Sequence, residues 1–208
     1  PLKGKPPFEN YQSEDLGRAL TRNRFLFNWE MGLGKSFALA ALIENLRFYK
    51  LINKCIIFST GVGVFNLKNE LCKFGKNIKP EEIFVINSIT DLKDRDLFNS
   101  EKYPYTILIM TYDTFKGINN YYYDAAKGTK SKPHPSQNTD YKKSYVPIKD
   151  WLEGFHGALF MDESHSLANP KSRRSEIMDM NLMYFKYRYE FTGTLADKYE
   201  KLYEQLKI

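Results

Sequence analysis

The chain has 208 residues, of which 42% are hydrophobic and 27% charged. That composition excludes a disordered tail or a fibrous repeat, and the length suits one to one and a half domains of about 150 residues. Lys and Arg number 31 against 25 Asp and Glu, a net charge of +6, which permits a polyanionic partner without requiring one.

The longest uninterrupted apolar run, Phe37 to Ile43, falls well short of the ~18 residues that read as a membrane span, so no membrane is expected. The opening PLKGKPPFEN lacks the apolar core of an export signal, which points to an intracellular protein of the cytoplasm, nucleoid or nucleus. Starting at Pro1 rather than Met, the chain reads as a piece of a longer one. Cys55 and Cys72 have no CxxC spacing and no His at ligand spacing. They read as reduced thiols in or near a core.

The first twenty residues are polar and Pro-rich and turn helical from about Ser13. Arg24 to Asn28 (RFLFN) is a short buried strand, and Ser36 to Tyr49 (SFALAALIENLRFY) carries apolar residues at helical spacing. Strand Lys54 to Ser59 and helix Val64 to Phe74 follow, then strands Glu82 to Asn87 and Tyr105 to Thr111 and a short helix near Asp113 to Lys116. Gly157 to Asp162 and Tyr187 to Thr192 are two further strands, and an amphipathic helix starts at Ala196. Apolar strands alternating with helices predict an α/β fold with a mainly parallel sheet covered by helices on both faces, because parallel connections need a crossover. From Gly117 to Asp150 the chain is polar and rich in Lys and Tyr. So long a connection reads as an insertion within one domain spanning 1–208.

Between the first strand and the first long helix lies Glu30-Met31-Gly32-Leu33-Gly34-Lys35-Ser36. A strand, a Gly-rich loop, GK(S/T) and a helix make the setting of a phosphate-binding P-loop. Glycines let the backbone aim its N–H groups at phosphate oxygens, and the helix start adds its dipole. Lys35 would reach the β- and γ-phosphates of ATP and the Ser36 hydroxyl would ligate Mg²⁺. The full pattern asks for Gly where this chain has Trp29.

Strand Gly157 to Asp162 ends in Asp162-Glu163-Ser164-His165, a carboxylate pair at the strand edge where α/β folds bind ligands. In an ATPase the first carboxylate holds Mg²⁺ and the second orients and deprotonates the attacking water, roles that Asp162 and Glu163 fit.

Taken in order, these motifs resemble the first RecA-like lobe of a superfamily-two helicase, most closely the Swi/Snf-type family of DNA-translocating ATPases. EMGLGKS resembles its motif I, FMDESHSLANPKSRRS its extended motif II (a DExH box), and FTGTLADKYEKLYEQL its motif III. FENYQ resembles the Gln motif that reads adenine, while IIFSTGVGVFNLKNEL and ILIMTYDTF fit motifs Ia and Ib more loosely.

The resemblance implies that Gln12 contacts the adenine, with Gly32, Leu33, Gly34, Lys35 and Ser36 around the phosphates. Ser36 and Asp162 would hold Mg²⁺, and Lys35, Asp162, Glu163 and His165 would form the catalytic set. His165 with Thr192, Gly193 and Thr194 would couple the nucleotide to the nucleic-acid track. Ser59, Thr60, Thr111 and Tyr112 are candidates for contacts to a DNA backbone, a task that hydroxyls suit.

The chain departs from the family at Trp29 (usually Asp), Ser36 (Thr), Ala168 (Lys) and Leu195 (Pro). Asn169-Pro170 reads as a helix N-cap followed by Pro at the first helical position. The implied function is the ATP-binding lobe of a translocase on double-stranded DNA. A DExH-type strand-separating DNA or RNA helicase, or a non-catalytic scaffold, are the alternatives. A second RecA-like lobe would have to supply arginines to the transferring phosphoryl group, so residues 1–208 alone should hydrolyse ATP slowly at best. The lysines Lys116, Lys127, Lys130, Lys132, Lys142, Lys143 and Lys149, with Tyr121, Tyr122 and Tyr123, read either as an electrostatic guide for nucleic acid or as a solvated loop. The abundance of Lys, Asn, Tyr and Phe is compatible with an AT-rich, virus-encoded gene.

Overall fold

A computed structural model describes residues 8–88, 91, 106–117, 157–167, 169 and 171–193. Among them β1 (Arg24–Asn28), β2 (Lys54–Ser59), β3 (Ile83–Ile86), β4 (Ile107–Thr111), β5 (Gly157–Asp162) and β6 (Tyr187–Thr192) form one sheet in the order β1-β6-β5-β2-β4-β3. Every pairing is parallel, so all six C-terminal ends lie along one edge.

Side chains alternate across the pleat. Cys55, Ile57, Ile107, Ile109, Ala158 and Phe160 join one buried cluster, while Ile56, Phe58, Leu108, Met110, Leu159 and Met161 join the other. Helices α1 (Asn10–Leu20), α2 (Lys35–Phe48) and α3 (Gly63–Phe74) cover the first face. The second is covered by Tyr112 and Phe115 from the helical stretch 112–117, by Ile177 and Met178 of α4 (Arg173–Asn181), and by Leu182 and Phe185. The expected parallel α/β fold with helices on both faces is the one observed.

Helix α2 buries an unbroken run from Ala38 to Ile43, as a helix does when packed between a sheet and its neighbours. Helix α1 buries Gln12, Leu16 and Ala19, one helical face. It begins three residues earlier than Ser13 because Glu9 and Gln12 close a capping box, with the Glu9 N–H donating to Gln12 Oε1 at 2.9 Å. Strand β3 starts one residue later than expected because Pro80–Glu82 forms a 3-10 turn before it.

The cap assigned to Asn169 is a correction. Asn169 Oδ1 accepts the Lys171 N–H at 3.1 Å, and the N-cap of α4 is Ser172, whose hydroxyl accepts the Ser175 N–H at 3.2 Å. The insertion beyond Gly117 and the helix expected from Ala196 lie outside the described residues. No helix among the described residues is long and apolar enough to cross a membrane.

Candidate active site

The phosphate loop leaves β1 at Trp29 and enters α2 at Lys35. Gly32 and Gly34 have φ of 84° and 82°, left-handed values that cost an L-residue about 1–2 kcal/mol and glycine almost nothing. At Gly34 a second constraint applies, because a Cβ there would sit 3.1 Å from Gln12 Nε2. The Gln12 amide is thus brought against the loop, donating from Nε2 to the Leu33 carbonyl at 2.8 Å while Oε1 accepts the Glu9 N–H.

The loop meets the end of β5 although β6 runs between β1 and β5. Lys35 Nζ lies 2.8 Å from Glu163 Oε1, with side chains only 11% and 18% exposed. Glu163 itself has φ 52°, a conformation that a non-glycine residue holds only when its surroundings enforce it. Its other oxygen, Oε2, is 3.3 Å from His165 Nδ1, which is also 3.3 Å from Thr192 Oγ1. Gly193 closes over the loop, where a Cβ would lie 3.4 Å from the Trp29 carbonyl oxygen and 3.5 Å from Lys35 Nζ.

Asp162 is braced from two sides. Ser59 donates its hydroxyl to Oδ2 at 2.8 Å, and the Tyr112 hydroxyl donates to the Asp162 carbonyl oxygen at 2.9 Å. Burial pushes the Asp162 carboxyl above the usual carboxylate range, with the Ser59 hydrogen bond opposing and the neighbouring Glu163 charge adding to the rise. Burial likewise raises the Tyr112 phenol well above its ordinary value.

Two clefts adjoin at this edge. One, of about 820 Å³, is lined by Ser36, Thr60, Asp162, Glu163, His165 and Gly193 among others. The second, of about 610 Å³, is lined by Gln12, Tyr11, Phe37, Phe74 and the loop from Gly32 to Ser36. Ser36 and Asp162 offer only oxygen donors to the first cleft, the hard ligands that Mg²⁺ takes; the donor set fits that ion.

Gln12, the loop, Lys35, Ser36, Asp162, Glu163, His165, Thr192 and Gly193 are thus gathered along one edge, and Thr194 lies outside the described residues. The four hydroxyls assigned to a DNA backbone divide. Ser59 and Tyr112 are buried with their hydroxyls on Asp162, where they brace the acidic strand end. Thr111 caps the 112–117 helix, its Oγ1 accepting the Thr114 N–H at 2.9 Å. Thr60 alone of the four is exposed.

Trp29 and Glu190 were not read as site residues. The Trp29 indole N–H donates to Asp15 Oδ2 at 2.9 Å, and its backbone N–H donates to the Thr192 carbonyl at 3.0 Å. Glu190 is 4% exposed on β6, and burial pushes its carboxyl up to about 8, with the Ser164 hydroxyl working against the rise. The alternation in Tyr187 to Thr192 (YRYEFT) puts Arg188, Glu190 and Thr192 on one face, a signal present in the sequence.

A family model described as the type III restriction enzyme res subunit (ResIII) matches residues 6–197. The chain belongs to that family. As a ResIII domain it is a helicase-like ATPase domain of the superfamily-two type, with the RecA-like lobe that the motif order implied.

Three solved structures share the fold. The Sulfolobus solfataricus SWI2/SNF2 ATPase core in complex with dsDNA has a TM-score of 0.58 at 18% identity, covering 96% of this chain and 35% of that one. The UvsW helicase from bacteriophage T4 has 0.63 at 18%, covering 97% and 58%. The Pyrococcus furiosus Hef helicase domain has 0.60 at 18%, covering 97% and 35%. This ResIII domain therefore spans between about a third and three-fifths of their lengths. No match is found among curated proteins.

Proposed function

We propose that this ResIII domain is the ATP-binding lobe of a DNA-dependent ATPase that couples hydrolysis to movement on double-stranded DNA. The observation that carries the reading is the Lys35–Glu163 contact at 2.8 Å beside Ser36 and Asp162 on one cleft. With phosphates in the loop, its N–H groups and Lys35 would hold the β- and γ-oxygens. The triphosphate would compete with Glu163 for Lys35, and the freed carboxylate would orient and deprotonate the attacking water. Ser36 and Asp162 would hold Mg²⁺, which when bound neutralises charge developing on the phosphates. Gln12 would read the adenine with the lone pair and the N–H that its two intramolecular bonds leave available.

Two features favour double-stranded DNA: the likeness of the motif II tail to Swi/Snf motors, and the SWI2/SNF2 core, solved with dsDNA, among the similar structures. Exposed Thr60 is the remaining hydroxyl candidate for the DNA backbone, with a second RecA-like lobe completing the motor. UvsW and Hef, both named as helicases and equally identical to this chain, support strand separation as the second reading.

The test is DNA-stimulated ATPase of the complete protein beside Glu163→Gln, expected to slow turnover by about 10²–10⁴ while nucleotide binding persists. Equal rates in the two proteins would favour a scaffold instead. Triplex displacement without strand displacement supports the translocase; strand displacement supports the helicase.

A further inference from the structure

The two clefts share only two lining residues, Ser36 and Glu70. Ser36 belongs to the phosphate end. Glu70 comes from α3, a separate element, and is half-buried where the cleft holding Asp162 and Glu163 meets the cleft holding Gln12. Its carboxylate makes no hydrogen bond or ion pair among the described residues. The lysines of its own helix are directed elsewhere: Lys68 donates to the Ile83 carbonyl at 3.3 Å and Lys73 lies over the Phe74 ring.

A carboxylate only accepts hydrogen bonds, and toward phosphate oxygens it is repulsive. Of whatever occupies the seam it can bond only a donor-bearing part. A nucleotide with phosphates at Lys35 and Ser36 and its base at Gln12 spans that seam with its sugar, whose donors are the two ribose hydroxyls. We propose that Glu70 accepts hydrogen bonds from the ribose 2′- and 3′-hydroxyls and so selects ribonucleotides over deoxyribonucleotides. The inference rests on the nucleotide reading of the site and adds a specificity determinant to it.

The test is calorimetric titration of the complete protein with Mg²⁺ and the non-hydrolysable triphosphate AMP-PNP, and with its 2′-deoxy and 2′,3′-dideoxy counterparts. Wild type should favour the ribonucleotide over the dideoxy form by about tenfold or more, the scale of a hydrogen bond to a charged group. Glu70→Ala should weaken AMP-PNP to the level of the dideoxy compound and leave the latter unchanged. Glu70→Gln, which keeps one carbonyl acceptor, should fall between them. Equal weakening of all three ligands by Glu70→Ala, tighter binding of all three, or no sugar preference in wild type would each overturn the proposal. Failure of the underlying reading looks different: wild type would bind none of the triphosphates, or Lys35→Ala would bind them undiminished. A melting curve of each variant, matching wild type, excludes loss of the fold as the cause.

Discussion

Replacing Glu190 with Gln should flatten part of the chain's stability profile against pH. Glu190 lies in the middle of β6, opposite Leu26 of β1 and Met161 of β5, and is 4% exposed. Among the described residues its Oε2 is buried without a hydrogen-bond partner. Burial raises the carboxyl from 4.5 to about 8. Between those two values the folded chain keeps a proton that the unfolded chain has released. Unfolding there releases a proton, so stability is fully present below the lower value and is lost as pH rises toward the upper one.

One proton is worth about 1.4 kcal/mol per pH unit, so between pH 5.5 and 7.5 this group alone should remove about 2–3 kcal/mol. Gln has nearly the same volume and does not titrate. Urea unfolding of both proteins at pH 5.5, 6.5 and 7.5 reads the effect as a difference in which other groups largely cancel. Wild type should lose ground to the variant by about 2–3 kcal/mol across the range. Parallel profiles would refute the argument that Glu190 is protonated within the sheet.

Trp29→Phe keeps an aromatic ring against Tyr11 and Phe27, whose centroids lie 5.4 and 5.3 Å from the indole, but deletes the N–H that reaches Asp15. Loss of that charge-assisted bond should cost about 1.5–3 kcal/mol, read by urea unfolding at neutral pH. Asp113→Ala removes an ion pair with Arg174 and another with Lys116 at 3.0 Å, both on the surface. The cost should stay within about 1 kcal/mol and shrink in high salt, measured the same way.

Strands β2, β4 and β5 were legible because each is a nearly continuous apolar run, the pattern of a sheet buried on both sides. Ile56 to Phe58, Leu108 to Met110 and Leu159 to Met161 are all fully buried. The order of the strands in the sheet was not legible. Local patterning does not reveal that β6 lies between β1 and β5, since that order depends on long-range pairing.

Caps were ambiguous for a related reason. Asn169 and Ser172 are both good N-cap residues, and only the bond that each side chain makes distinguishes them. Ser59 and Tyr112 sit at or just after strand ends in the sequence just as Thr60 does, and only the fold shows that Ser59, the last residue of β2, and Tyr112, the first of the helical stretch 112–117, turn inward onto Asp162. Glu70 could not be found from the chain alone, because the phase of α3 about its axis is fixed by packing against α2 and the sheet through Val64, Leu67 and Leu71.

The contacts around Glu163 form a closed ring. Lys35 of the phosphate loop holds one carboxylate oxygen, and His165 lies beside the other and beside Thr192. The Thr192 carbonyl accepts the backbone N–H of Trp29, which begins the same loop. Three segments far apart in sequence are therefore joined in a circuit in which no link exceeds 3.3 Å. A triphosphate that drew Lys35 away would take from Glu163 its cationic neighbour, and so would act on the carboxylate that lies beside His165. Coupling of this kind needs an element with two arrangements that both sites bias, and the left-handed backbone of Glu163 marks the strained position within the ring.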